Sequence, residues 1–314
     1  MSQTHIVLGA SGAVGKAVIE ALQDRKLNVI AVTRSKKRND ISCRSADLLV
    51  LQQAKAAVQG GTHVYLCVGL PYNKEVWKRD FPVIMRNVIT ACKEAKARLI
   101  YLDNIYMYGP APLAVPFDET HPQQPFTHKG KARKKTTDLL LKSIDQGEIK
   151  ALVGRAADFY GPGAINSPFY ISFLDRMLQG KAPQSIAIPG VKHTYAYVPD
   201  LGRALVELAL DEAAYGQVWH LPVGEAVTVK EMLAYFNKVL DKKYTVSFLP
   251  PWMRKLLSLF IPVLKETGEM MYQFESDYQM SFAKFKHHFP DFEYTSYEQG
   301  VMDTVAYFQA SKGV

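Results

Sequence analysis

Three glycines at three-residue spacing, Gly9, Gly12 and Gly15, follow the apolar run His5-Ile6-Val7-Leu8 and lead straight into a helical pattern from Val14 to Gln23. A chain that turns from strand into helix this abruptly has few options. Gly9 has to supply a turn without a Cβ, Gly12 allows a ligand to approach the backbone, and Gly15 lets the helix lie against the strand. Amides at the helix start, in a turn that also holds Ser11, Ala13 and Val14, attract a diphosphate together with the helix dipole. A glycine triplet by itself marks only a turn. Set in a complete strand-helix-strand unit, it reads as a dinucleotide site.

That unit is repeated. Short apolar runs at 5–8, 28–33, 63–68, 99–102 and 150–153 alternate with helical patterns at 14–23, 48–59, 74–95 and 131–144. Strands that are apolar along their whole length suit a parallel sheet covered on both faces. The expected fold is therefore α/β, a doubly wound parallel Rossmann sheet with a smaller C-terminal α/β substrate lobe. Residues 1–155 form the nucleotide-binding part. Residues 156–314 are a mixed segment that contributes late sheet strands and the lobe, with helical patterns at 198–210, 229–240, 252–260 and 297–309. The polar, proline-rich stretch from Pro110 to His128 reads as a long functional loop.

The end of the second strand decides between cofactors. An NAD site carries an acidic residue there, about twenty residues past the glycines, to hold the adenosine ribose. Here the strand ends in Thr33-Arg34 and runs into Ser35, Lys36, Lys37 and Arg38. A carboxylate would repel a 2′-phosphate, whereas Arg34 can grip one bidentately with Lys36 adding charge. NADP(H) is the preferred cofactor and NAD(H) the alternative. Asp47 and Leu48 are placed to bracket the adenine, and Gly69 closes the strand run at 63–68 where backbone meets the cofactor.

Composition narrows the partners. The net charge of +8 is concentrated in Arg34 to Arg38 and Lys129 to Lys135. It does not form a stripe interleaved with aromatics, so no nucleic-acid partner is expected. Cys43, Cys67 and Cys92 make no even disulfide set, and the compartment read from them is a reducing cytoplasm. The apolar stretch Leu256 to Leu264 contains Pro262 and falls short of the roughly 20 residues of a membrane span. No membrane association is expected. The histidines show no metal-ligand spacing, and no metal is expected. The partner is a small-molecule substrate, with a homodimer left open.

Together these pieces resemble the extended and atypical short-chain dehydrogenase/reductase superfamily, in particular the NAD(P)-dependent epimerase/dehydratase family, over the chain to about residue 225. Tyr101-Leu102-Asp103-Asn104-Ile105-Tyr106-Met107-Tyr108-Gly109 is similar to the end of that family's fifth strand. Gly154 to Gly163 is similar to its Arg-x-x-x-x-Tyr-Gly-Pro-Gly segment, and His193 to Asp200 to a later strand and helix start. In the family a Tyr-x-x-x-Lys pair moves the proton that accompanies hydride transfer. The matching stretch here is Lys129-Gly130-Lys131-Ala132-Arg133. It puts Lys129 in the tyrosine's place and Arg133 in the lysine's, while Asn104 stands where the family has a substrate-binding serine.

The resemblance implies an oxidoreductase or epimerase acting on a small carbonyl or sugar-like metabolite, with a non-standard active site. Arg133 can hold the nicotinamide ribose or a phosphate but cannot donate a proton at neutral pH. Lys129, if desolvated, can act as acid or base; if solvated, it is a plain helix-start lysine. Tyr106 is a further candidate relay. Asp158, Tyr160 and His193 are the expected substrate contacts. The competing reading is a catalytically silent NADP(H)-binding redox sensor or scaffold, since the glycines are kept while the catalytic residues are replaced.

Overall fold

The computed structural model describes residues 3–34, 41–260 and 262–312. The chain divides into two compact units. The first comprises Met1–Met107, His128–Ala156 and Pro199–Leu221, and the second Tyr108–Thr127, Ala157–Val198 and Pro222–Val314. The sheet is therefore built from three separated stretches of sequence, and the lobe from the stretches between and after them.

In the first unit, β1 (Thr4–Leu8), β2 (Asn28–Thr33), β3 (Ser42–Ser45), β4 (His63–Leu66), β5 (Arg98–Asp103) and β6 (Ala151–Arg155) are joined by α1 (Ala13–Asp24), α2 (Leu51–Val58), α3 (Lys74–Ala95) and α4 (His128–Asp145). A seventh strand, Val218–His220, closes the sheet beside β6. Across the sheet the order is β3-β2-β1-β4-β5-β6-Val218–His220, and every pairing is parallel. The order reverses beside β1, the switch point at which open α/β sheets bind ligands.

Burial explains why these segments take these forms. All of β4 and β6 is buried, as a strand covered on both faces requires. The buried residues of α1 include Val14, Ala17, Val18, Ala21 and Leu22, the three- and four-residue spacing of one helical stripe. On one face Ile6, Leu66, Leu99 and Val153 pack with Val58, Met85, Val88 and Leu140 of the helices. Each such side chain contributes roughly 1.5–3 kcal/mol. On the other face Gly202, in the helix Val198–Leu210, lies so close to the Ala17 backbone that a Cβ there would collide with it. Helices thus cover both faces. Asn73 caps α3, its side chain accepting from the amides of Glu75 and Val76 at 2.9 and 3.1 Å.

The second unit is built from short pairings. Phe159–Tyr160 runs parallel to Ala196–Tyr197, Lys192–His193 antiparallel to Val227–Thr228, and Gln184–Ser185 parallel to Ser247–Phe248. Its core is aromatic: Tyr160, Phe169, Phe173, Tyr195, Tyr197, Phe236, Tyr297 and Phe308. The helix Val229–Leu240 carries a reciprocal cap between Thr228 and Glu231.

Several boundaries differ from those the sequence suggests. α2 starts at Leu51 rather than 48, because Asp47 folds its own turn, its carboxylate accepting from the Leu49 amide at 3.0 Å. α4 starts at His128 rather than 131. β3 has the polar sequence Ser-Cys-Arg-Ser and an exposed or half-buried profile, so no apolar run announced it.

Candidate functional site

Gly9 has φ +86, and a Cβ there would meet the Cys67 carbonyl oxygen at 2.8 Å. The Gly9 and Ala10 amides both donate to the Val32 carbonyl at 3.1 Å, and Gly12 donates to Gly9 at 3.0 Å, which pins the turn between β1 and β2. At Gly15 a Cβ would collide with the Gly9 carbonyl. Gly12 is different. It is exposed, and a Cβ would meet no protein atom closer than the Gly9 carbonyl oxygen at 3.4 Å. The protein itself has no need for glycine at this position, while a diphosphate lying on the turn would.

Gly12 is also the N-cap of α1 with no side-chain hydrogen bond. The first-turn amides, including those of Ala13 and Val14, therefore have neither a capping side chain nor an intrahelical partner. Ser11 beside them is exposed. A helix start left in this way suits an anion, and these residues fit a dinucleotide's pyrophosphate.

The flanking residues fall into two groups. Arg34, directly after β2, is exposed, and its carbonyl accepts from the Ser45 hydroxyl at 2.8 Å. Lys36 lies outside the described residues. Asp47 is half-buried, Leu48 is packed in the sheet core and its carbonyl accepts from the Asn87 side chain at 2.9 Å. Gly69 is exposed, with open space where a Cβ would be.

At the end of β5 stands a buried network that the sequence reading did not identify. Asp103 Oδ1 accepts from Arg133 Nε at 2.8 Å and Nη2 at 2.5 Å, and from the Asn104 amide at 2.9 Å. Its Oδ2 accepts from the Thr137 hydroxyl at 2.7 Å and lies 3.7 Å from Arg155 Nε. The Arg133 guanidinium sits over the rings of Phe81, 4.5 Å to the centroid, and Tyr101, 5.3 Å. Burial pushes the Tyr101 phenol well above its usual range. A carboxylate with this many charge-assisted donors orients its partners rigidly. The available signal was the four-residue spacing of Arg133 and Thr137, which puts both on one face of α4.

Lys129, one turn earlier on α4, has no exposed surface, which overturns its reading as a solvated lysine. Its Nζ lies 4.5 Å from the centroid of Tyr72. Tyr72 meets Trp77 edge-on at 5.5 Å, and Trp77 stacks on Tyr106 at 6.1 Å with its indole N–H donating to the Pro71 carbonyl at 2.9 Å. Asn104 is half-buried, its side-chain oxygen accepting from the Tyr106 amide at 3.2 Å. The fold thus gathers Asn104, Tyr106, Lys129 and Arg133 in one unit, around an aromatic wall and a carboxylate.

Of the three expected substrate contacts in the lobe, Asp158 is half-buried and its Oδ2 lies 3.5 Å from His193 Nε2. His193 is buried, and that burial pulls its pKa down to about 4, so the ring is neutral at neutral pH. Tyr160 packs in the lobe core against Tyr197 and Tyr297 at 5.5 and 5.8 Å. Its ring is a structural element with 1% of its surface exposed. Among the described residues no group of three histidine, cysteine or acidic side chains is placed to hold a metal, and no helix is long and apolar enough to cross a membrane.

Residues 5–221 match the NAD dependent epimerase/dehydratase family, and the chain belongs to that family. Solved structures extend the likeness to the whole length. The chain is similar to UDP-glucose 4-epimerase from Thermotoga maritima with UDP-glucose, at 18% identity, TM-score 0.80, covering 99% of this chain and 100% of that one. UDP-glucuronic acid 4-epimerase from Bacillus cereus in complex with NAD gives 17% identity, TM-score 0.79 and 99% of each chain. The Bordetella bronchiseptica enzyme WbmH in complex with NAD+ gives 19%, 0.77, and 98% and 99%. At these identities the likeness establishes the fold. No curated protein matches the sequence.

Proposed function

We propose that this chain binds a nicotinamide dinucleotide on the turn from Gly9 to Gly15, NADP(H) in preference to NAD(H), and transforms a small carbonyl or sugar-like compound with Lys129 as the proton-transferring group. The observation that carries the reading is the pairing of two features in one unit. One is an exposed turn at Gly12, where a Cβ would meet no protein atom closer than the Gly9 carbonyl oxygen at 3.4 Å, at the bare start of α1. The other is a buried amine and a buried guanidinium in the two positions that the family fills with tyrosine and lysine. Bound there, the dinucleotide supplies or accepts hydride, and the protein's own residues hold and move the proton.

Their roles follow from the contacts. Arg133 commits Nε and Nη2 to Asp103, so it orients neighbouring groups and carries fixed charge. Lys129 is an amine with no exposed surface, its Nζ 4.5 Å from the centroid of the Tyr72 ring, and it is the group to which we assign the proton transfer. The relatives named above carry UDP-glucose or NAD in their structures, which supports a carbonyl or sugar-like substrate. A second reading, dinucleotide binding without turnover, is favoured by the ion pair that ties up Arg133.

Hydride exchange from labelled alcohols, aldehydes and nucleotide sugars into bound NADP+ tests the reading. Turnover with any of them, lowered at least about a hundredfold in Lys129→Met with cofactor affinity kept, supports proton transfer by Lys129. Binding without exchange across the panel supports the second reading. Undiminished turnover in Lys129→Met removes the lysine from the mechanism.

A further inference from the structure

Among the described residues, the three most exposed large apolar side chains stand on the helix Pro251–Ser258 of the second unit and the turn that follows it. Trp252 is 64% exposed, Leu259 75% and Phe260 77%, with Leu256 beside them at 52%. Single exposed apolar residues are ordinary, whereas a contiguous set marks a contact surface. Trp252 and Leu256 are one helical turn apart and share a face. The Leu259 amide donates to the Leu256 carbonyl at 3.2 Å, which carries the same stripe into the turn. Arg254, two positions from both Trp252 and Leu256, lies on the opposite side of the helix. Its guanidinium donates to the Ile186 carbonyl at 3.0 Å and pairs with Glu275. Arg254 thus pins the helix to the lobe and the apolar stripe is turned outward. Side chains this exposed stand clear of the surface, so they form a ridge and not a groove.

The charge of the segment has one sign. From residue 242 to residue 265 the chain has five lysines and arginines, Lys242, Lys243, Arg254, Lys255 and Lys265, and no aspartate or glutamate. Lys242, Lys243 and Lys265 are exposed. A basic segment bearing an apolar ridge complements a surface that is anionic outside and apolar beneath.

We propose that this ridge docks on a membrane surface carrying anionic lipid headgroups. Trp252, Leu256, Leu259 and Phe260 enter the boundary between headgroups and acyl chains, and the lysines meet the lipid phosphates. Tryptophan, phenylalanine and leucine on one face, with cations nearby, are what an interfacial helix requires. A bilayer takes in protruding side chains without a matching pocket, whereas a protein partner has to supply a complementary surface. A second copy meeting this ridge face to face would set two basic segments against each other. No described helix is long and apolar enough to cross a bilayer. The expectation of no membrane association rests on that length, which surface docking does not need. All the ridge residues lie in the second unit, and the docking holds whether or not the chain turns over a substrate.

Trp252 reports the docking directly, because the other two tryptophans, Trp77 and Trp219, are buried. The full chain is titrated with vesicles of equal parts phosphatidylglycerol and phosphatidylcholine and with vesicles of phosphatidylcholine alone, and bound protein is measured by sedimentation. The anionic vesicles should shift the tryptophan emission to the blue and sediment the protein at a lipid concentration at least about tenfold below that needed with phosphatidylcholine. Molar salt should remove the difference. Leu259→Ser with Phe260→Ser should abolish binding at an unchanged melting temperature, and Trp252→Phe should remove the emission shift. No sedimentation with the anionic vesicles, equal affinity for the two compositions, or a difference that molar salt leaves intact overturns the proposal on the natural chain alone. Undiminished binding in the folded double variant overturns it as well. A concentration-dependent dimer that the double variant abolishes, with no vesicle binding by the natural chain, gives the ridge to a second copy instead.

Discussion

Replacing Asp103 with asparagine should damage the first unit more than replacing its ion-pair partner. Asp103 is 2% exposed, and Arg133 and Arg155 are 5% and 0% exposed. Removing one member of a buried pair costs roughly 3–5 kcal/mol, because the other charge stays behind uncompensated. In Arg133→Met the carboxylate keeps the Thr137 hydroxyl, the Asn104 amide and Arg155 at 3.7 Å, so the cost should sit near the lower end, about 3 kcal/mol. In Asp103→Asn two buried guanidiniums lose the carboxylate they share, and the added amide N–H groups face them; the cost should reach about 5 kcal/mol. Urea unfolding followed by circular dichroism gives both values and that of the double variant. The double variant should fall short of the sum by at least about 1 kcal/mol, as contacting residues do. Costs below about 1 kcal/mol each, or strict additivity, would refute the view that this network holds α4 to the end of β5.

Two further outcomes concern the frame of the site. Gly15→Ala should destabilise by about 1–3 kcal/mol through its collision with the Gly9 carbonyl, while Gly12→Ala leaves the melting temperature of the free protein unchanged; equal shifts would contradict the geometry. Acid should weaken the sheet through His5 and His63, which stack at 4.6 Å across β1 and β4 with both Nε2 atoms buried and without a hydrogen bond. Burial lowers each from 6.5 to about 4, so the unfolded chain takes up protons first as the pH falls. Stability should be full above about pH 6.5 and decline toward pH 4, by roughly 2 kcal/mol per imidazole at about 1.4 kcal/mol per pH unit once partial solvent screening is allowed for. A His5→Gln, His63→Gln double variant with the same acid slope as the natural chain would contradict this.

Much of this frame was legible because it is local. The glycine spacing, the apolar strands and the amphipathic stripe of α1 each follow from residues close in sequence, and the parallel sheet follows from their alternation. β3 was hidden because an edge strand with one neighbour, β2, needs no apolar run. Lys129, Arg133 and Asn104 could be placed by their position along the family pattern, but their surroundings could not. The carboxylate that fixes Arg133 comes from thirty residues away, and the rings around His193 come from segments as distant as Tyr278. Contacts of that range depend on how elements pack, which periodicity does not encode. Tyr160, singled out by a motif match, lies in the lobe core, a placement the motif does not encode.

The central claim is dinucleotide binding at the glycine turn with a preference for the 2′-phosphate, and a fluorescence titration of NADPH against NADH tests it most directly. One charge-assisted bidentate contact from Arg34 is worth roughly 1.5–3 kcal/mol, so NADPH should bind at least about tenfold more tightly. Arg34→Asp should invert the order. Gly12→Val should abolish binding of both while the free protein keeps its fold, because the branched side chain covers the exposed face of the turn, where the nearest protein atom to a Cβ is the Gly9 carbonyl oxygen at 3.4 Å. Equal dissociation constants for the two dinucleotides would contradict the cofactor preference, and undiminished binding in Gly12→Val would contradict the site itself.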